Sequence, residues 1–346
     1  MTNLPLRCLD SAAGSSIHAF DLSADEWLKL SEENRNFRHL RMPCCSAPVV
    51  LRRSRLGTQH FVHRTVGDCK TAPESEAHLR LKQLVVEVAR ANGWEAAAEV
   101  VGASPDGDDW RADVLARKGN VKVAVEIQWS PQTQEETWRR QDRYEQSGIR
   151  CLWLLRQRDI PVDRNLPVAG IEGEPAEGFT ALVPTGSGTQ SLPMEQFLHA
   201  AFSRRLRFGM PTGVDATVTV WMGRMFCWSC GSETEIISGI EIAAGPQEIR
   251  FSIPGIGEHL DLVEIVWGHL PGDKKFEAIK RRFSKTQNRT YLSNGCAHCD
   301  AFIGEFFEHE AWQDQEPICV FETRISERWR AAILGHHGYQ EGWGVY

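Results

Sequence analysis

The stretch WRADVLARKGNVKVAVEIQWS, residues 110–130, decides how this chain is read. Residues 112–116 and 121–129 are Val- and Ile-rich runs flanking a tight turn at Gly119-Asn120, which predicts an adjacent strand pair. Alternation along the second strand puts Glu126 and Gln128 on the same face. Closing the hairpin at Gly119-Asn120 sets Asp113 opposite the end of that strand. Asp113, Glu126 and Gln128 then converge on one spot of an otherwise apolar sheet. The competing account is a plain solvent-facing alternation. Against it, Val125 and Ile127 supply an apolar face of their own, and an upstream helix bearing Glu76 is placed to pack on the same sheet.

That helix follows Pro73. Leu79, Leu81, Leu84, Val85, Val88 and Ala89 form its apolar stripe, and Asn92-Gly93 ends it. Glu76 and His78 lie in its first turn and Lys82 one turn on. An acid in a first turn also suits the helix dipole without any chemistry. Residues 94–101 read as a strand before the acidic loop 104–109. Beyond residue 130 a polar helix starts near Pro131-Gln132, with Arg140 and Tyr144 four apart on one face. A buried strand follows at 149–155. The order helix, three strands, helix, strand predicts a mixed sheet with helices on its faces.

These residues resemble the PD-(D/E)xK nuclease core, and in detail the competence protein CoiA-like family. The matching phrases are MPCCSAPVV, HFVH, ESEAHLRLK, RADVL, EIQWS, and RxxxY followed by IRCLWLL, all between residues 42 and 155. The resemblance implies an α/β fold of the mixed, restriction-endonuclease-like kind and phosphodiester hydrolysis. It implies catalytic roles for Glu76, Asp113, Glu126 and Gln128, with Asp113 and Glu126 holding Mg²⁺ or Mn²⁺ as hard oxygen ligands. Gln128 stands where the wider core has lysine, and an amide neither carries charge nor accepts a proton as a base. ExQ is nevertheless a feature of the CoiA-like group. Arg140 and Tyr144 are expected to contact nucleic acid, the guanidinium fork matching phosphate oxygens. A salt-bridged helix surface is the alternative for Arg139 and Arg143.

Composition sets the limits. The chain has 346 residues, 42% hydrophobic and 25% charged, enough for two or three domains. Its formal net charge of -7 excludes a basic coat for nucleic acid, so any such contact must use a local patch. No apolar run is long enough for a membrane span and no signal-peptide core opens the chain, so a cytoplasmic location is expected. Ten cysteines without an export signal point to metal or free thiols rather than disulfides.

Two cysteine-bearing regions flank the core. In the first, Pro43-Cys44-Cys45 is a turn and residues 48–53 and 59–63 read as strands. Cys44, Cys45, His63 and Cys69 are the candidate set for a second zinc, with Met42 where the CoiA-like family has the first cysteine of CPxC; a metal-free hairpin is the alternative. Before it, Ser23 and Glu26 form a capping box for a helix to about residue 34. In the second, Cys227-x-x-Cys230 and Cys296-x-x-Cys299 supply two thiolate pairs at turn spacing, the signature of a closed structural zinc site. Between these knuckles, Lys280, Arg281 and Arg282 lie in a basic run interleaved with Phe276, Phe283 and Tyr291. Such a run suits nucleic-acid binding, or else an amphipathic helix.

The chain is therefore expected to divide into a β-rich Cys/His module (1–72), a nuclease-like core (73–156), a connecting region (157–210) and a zinc-ribbon domain (211–346). The expected function is that of a metal-dependent endo- or exodeoxyribonuclease in DNA processing, recombination, uptake or defence, acting on single- or double-stranded DNA. The alternative is an inactive nucleic-acid-binding protein built on the same core and ribbon. No membrane partner is expected; a homo-oligomer or protein partner is left open.

Overall fold

The computed structural model describes residues 5–43, 45–64, 74–156, 162–272 and 279–346. The chain forms two compact units, Met1–Pro184 with Thr189–Leu206, and Thr185–Gly188 with Arg207–Tyr346.

The first unit opens with β1 (Arg7–Asp10) and β2 (Ser15–His18), an antiparallel pair joined by β3 (Leu40–Arg41). Between them runs α1 (Ala24–Phe37), started by the expected Ser23–Glu26 capping box. Trp27, Leu40, Met42 and Phe61 pack into a small core here. The two predicted strands form the hairpin β4 (Val49–Arg53) and β5 (Gln59–His63).

Then come α2 (Glu76–Ala91), β6 (Glu95–Ala103), β7 (Asp109–Lys118), β8 (Val121–Gln128), α3 (Gln134–Gln146) and β9 (Arg150–Leu155). This is the element order the pattern predicts. Ser75 caps α2 by accepting from the His78 N–H, and Thr133 caps α3 through the Glu136 N–H. Strands β6, β7 and β8 pair antiparallel, and β8 pairs parallel with β9 across the α3 crossover.

The region beyond β9 differs from expectation. Within the expected connecting region, 157–210, three strands form: β10 (Val168–Glu174), β11 (Gly178–Thr185) and β12 (Gly188–Pro193). Together with β6–β9 they make one seven-stranded sheet in the order β12-β11-β10-β9-β8-β7-β6. The recurring Gly and Pro mark short turns between strands here, and β10 lies parallel to β9. Helix α4 (Met194–Phe202) then packs back: the Trp94 indole N–H donates to the Phe202 carbonyl at 3.1 Å.

The second unit is built on long strands β14 (Asp215–Phe226) and β15 (Glu233–Ala244), after the short β13 (Leu206–Phe208). β15 continues into β16 (Gln247–Phe251), followed by α5 (Ile253–Ile256) and α6 (Leu260–Gly268). Next come β17 (Lys280–Ser284), β18 (Arg289–Gly295), β19 (Phe302–Ile303), α7 (Glu305–Glu308), β20 (Glu316–Arg324), α8 (Glu327–Gly335) and β21 (Trp343–Val345). A four-stranded sheet, β16-β15-β14-β20, carries the core, with Val218, Val220, Ile240, Ile242, Phe251 and Trp329 buried on it. The described part of the basic run forms strand β17 and the start of β18, not an amphipathic helix. The period-2 pairing with β18 overrides the run's helical propensity. No helix is long and apolar enough to cross a membrane among the described residues.

Candidate active site and metal centre

The site grows from the strand register. Ala98 pairs with Val114 and Val100 with Ala112, which sets Glu99 level with Asp113. Val114 pairs with Val125, which sets Asp113 level with Glu126. Three acids thus form a row across β6, β7 and β8. At this level the backbone ladder gives way to a side chain: Asp113 Oδ2 accepts the Ile127 N–H at 2.9 Å. Glu99 has a left-handed backbone, φ 56°, uncommon for a residue other than glycine. Its Oε1 also accepts the Leu6 N–H at 3.2 Å.

Two helices supply the counter-charges. From α2, Lys82 is wholly buried, with Nζ 3.1 Å from Asp113, 2.8 Å from Glu74 and 3.6 Å from Glu99. His78 Nε2 lies 3.3 Å from Asp113 Oδ2. Arg111 on β7 adds contacts of 3.8 Å to Glu74 and 3.9 Å to Glu99. From α3, Arg140 and Tyr144 both hold Glu126, the guanidinium on Oε2 and the phenol on Oε1. Arg140 also lies over the Trp153 ring, 5.1 Å from its centroid.

These contacts split the protonation of the two central acids. Burial would raise the Asp113 carboxyl, but Lys82 and His78 outweigh it and hold Asp113 well below the ordinary range. Burial pushes Glu126 up to about 7 despite Arg140, and the Asp113 charge adds to that rise. Burial also raises Glu99, against the pull of Lys82. Lys82 itself is held above its ordinary value, burial being overcome by Asp113, Glu99 and Glu74.

The Glu126 shift has a measurable sign. The unfolded chain releases this proton in the usual glutamate range and the folded chain near 7, so the folded state binds more protons in between. Stability contributed by the protonated group is therefore lost as pH rises across that window and levels off above 7. Buried Glu308 in the second unit, raised to about 8 by burial, acts in the same direction. Glu126→Gln should remove the part of the slope between pH 5 and 7 and leave the rest. Urea midpoints at half-unit pH steps, with metal chelated, read this; an unchanged slope in the variant refutes the assignment.

Not every expected residue joins the cluster. Glu76 instead accepts from Ser54 Oγ at 2.8 Å and from Thr58 Oγ1, tying α2 to the β4–β5 hairpin. The helix residues at Asp113 are His78 and Lys82. With Glu74 they recur at four-residue intervals, a spacing readable in the sequence. Gln128 donates to the Ser130 carbonyl at 2.7 Å, in its own loop. Of the two expected nucleic-acid contacts, Tyr144 is buried and Arg140 is partly exposed, and both engage Glu126.

Asp113 and Glu126 offer hard oxygens of the kind Mg²⁺ takes as one or two carboxylates, leaving the rest of its shell to water and substrate phosphate. A carboxylate retains lone pairs beside a bound cation. Glu74 Oε2 is buried with no hydrogen-bond partner, and His78 Nε2 meets Asp113 Oδ2 at 3.3 Å, so polar capacity remains beside the acids. The donor set therefore suits a divalent cation held by the two strand acids.

The thiolate site is more complete. Cys227, Cys230, Cys296 and Cys299 bring their sulfurs within 4.8 Å of one another. Among the described residues no other set of three or more His, Cys, Asp or Glu ligand atoms lies so close. The first knuckle joins β14 to β15 and the second joins β18 to β19. Each is folded alike: the Ser229 and His298 N–H groups approach Cys227 and Cys296 Sγ at 3.4 Å. Gly231 and Asp300, four residues after the first cysteine, both have positive φ. Four thiolates so placed can hold a metal such as zinc, filling a tetrahedron.

Cys45 Sγ lies 3.2 Å from His63 Nε2, as one pair of the proposed second zinc set. Cys44 and Cys69 lie outside the described residues, as do Lys274, Lys275 and Phe276. On β17, Lys280 and Arg282 both pair with Asp300, while Arg281 reaches the Thr290 carbonyl at 3.3 Å.

A mixed sheet crossed by a row of acids, with helices bringing cations to it, defines a nuclease-like α/β core of the PD-(D/E)xK kind. The segment is a CoiA-type one: residues 74–165 match the family described as "Competence protein CoiA, nuclease-like domain". None of the curated proteins compared with the chain matches it.

Proposed function

We propose that the chain is a metal-dependent DNA nuclease that hydrolyses phosphodiester bonds. The observation that carries this is the Asp113–Glu126 pair, Glu126 buried and Asp113 half-buried, level across β7 and β8 in a CoiA nuclease-like domain. Asp113 and Glu126 would hold Mg²⁺ or Mn²⁺. The chemistry supplied there is polarisation of the scissile phosphate and acidification of an attacking water. Asp113, kept ionised by Lys82, is a ligand at any working pH. Glu126 becomes one as its proton leaves near pH 7, steadied by Arg140 and Tyr144. Lys82 provides the positive charge that Gln128 lacks. Zn²⁺ on Cys227, Cys230, Cys296 and Cys299 would be structural. Lys280, Arg281 and Arg282 are the proposed basic contact of the second unit, weakened by Asp300.

Asp113→Ala with Glu126→Ala tests this reading. Single- and double-stranded DNA incubated in Mg²⁺ and in Mn²⁺ should be cut by the wild type and left intact by the double variant. A second reading, a nucleic-acid-binding protein without catalysis, is favoured by one feature: both acids are already engaged by cations and Gln128 is turned to Ser130. Binding without cleavage in either metal would establish it.

A further inference from the structure

Beside the acid pair the first unit opens a cavity of about 610 Å³. Its walls include Gly102 of β6, Trp110 and Arg111 of β7, and Arg140, Arg143 and Tyr144 of α3. Two of these, Arg140 and Tyr144, are the side chains that hold Glu126, so the cavity and the acids share a wall. The volume is that of a small-molecule site.

Trp110 is fixed in place. Its indole N–H donates to Ser147 Oγ at 3.0 Å and its ring packs 5.6 Å from Tyr144. It lies so close over Gly102 that a Cβ there would fall 2.3 Å from the indole. Glycine at 102 is thus what lets the ring approach the strand so closely. Three guanidiniums from two elements share the lining with Asp109 and the apolar Pro43, Val101 and Ala103. Arg143 is oriented by donating to the Asp109 carbonyl at 2.8 Å, and Arg111 by Glu74 and Glu99.

A rigid indole among guanidiniums matches one chemistry: a flat aromatic base joined to phosphate. Bases stack on aromatic rings and guanidinium planes whatever their sequence. A base paired inside a duplex shows no face to such a wall until it leaves the stack. We propose that this cavity binds one unpaired nucleotide of single-stranded DNA, its base against Trp110 and its phosphates toward Arg140 and Arg143. This assignment rests on the nuclease reading only for which strand position is cut; binding itself needs no catalysis.

The test is anisotropy of labelled dT12 and of a dA12·dT12 duplex with the full, zinc-loaded chain and no Mg²⁺ or Mn²⁺ added. The wild type should prefer the single strand. Trp110→Leu should weaken the single strand about tenfold and leave the duplex within about twofold. Trp110→Phe, which keeps a ring, should restore most of the loss. Arg143→Ala, on the surface of α3, should weaken the single strand and reduce the salt slope by about one; it keeps the test open if Trp110→Leu misfolds. Single-strand affinity unchanged in both Trp110→Leu and Arg143→Ala, or equal losses on both DNAs, overturns the pocket. Cleavage is assayed separately: cutting with no effect of these variants refutes the pocket alone. The binding signature without cutting in Mg²⁺ or Mn²⁺ supports the pocket and refutes the nuclease reading alone.

Discussion

Lys82→Met should destabilise the first unit by about 3–5 kcal/mol, the cost of stripping the partner from buried charges. Lys82 is wholly buried and faces three acids, Glu74, Glu99 and Asp113. Removing it leaves Arg111 and His78 as the nearest compensation, each at 3.3 Å or more from any of them. The acids would respond by taking up protons, so the loss should be smaller at pH 5 than at pH 8. Lys82→Arg should lose less, since it keeps the charge and sacrifices only the fit of a point ammonium among three carboxylates. Urea unfolding with metal chelated measures all three. A loss below about 1 kcal/mol, the level of an exposed ion pair, would mean that the cluster is hydrated and weak.

The second large effect concerns the thiolates. The purified chain should carry one zinc at the four cysteines, and Cys230→Ser with Cys299→Ser should carry none. Both cysteines are exposed, so their replacement leaves no hole in the core. What it removes is the closure of two knuckles separated by more than sixty residues of chain. Structural zinc contributes on the order of 10 kcal/mol to isolated fingers. Here the β14–β15 core persists without it, so the expected loss is several kcal/mol. It should appear first as protease cleavage between β17 and β19. Metal content by emission spectroscopy and limited proteolysis give the result; a metal-free wild type, or equal protease resistance, defeats it.

Much of this arrangement is legible in the chain. The β7–β8 hairpin follows from its turn and its β-branched runs, and α1, α2 and α3 from caps and apolar spacing. The thiolate group follows from two CxxC spacings. Asp113 and Glu126 are level because the antiparallel register carries the pairing outward from the turn. Other parts are hidden because they depend on contacts distant in sequence. Glu99 looks like one polar residue in an apolar strand, and only the β6–β7 register puts it beside Asp113. Glu76 and Glu74 both sit at the start of α2; side-chain direction sends one to Ser54 and Thr58 and the other to Lys82. Strands β10–β12 are disguised by the Gly and Pro of their turns. The basic run reads as helix because its composition favours one, yet β18 lies ready to pair with it.

The three acids sit on strands and their partners mostly on helices, and this has a kinetic consequence. Strands β7 and β8, which carry Asp113 and Glu126, are hydrogen-bonded on both sides, whereas β6 with Glu99 is the edge strand. Interior strands open last in native-state hydrogen exchange, whereas helices on a sheet's surface open through smaller, local fluctuations. Glu126 is held by Arg140 and Tyr144, one turn apart on α3. A single excursion of that helix therefore unlatches both at once, with the carboxylate still fixed on its strand. Asp113 and Glu126 are the stationary part of the site, and the rate at which Glu126 is uncovered is the breathing rate of α3.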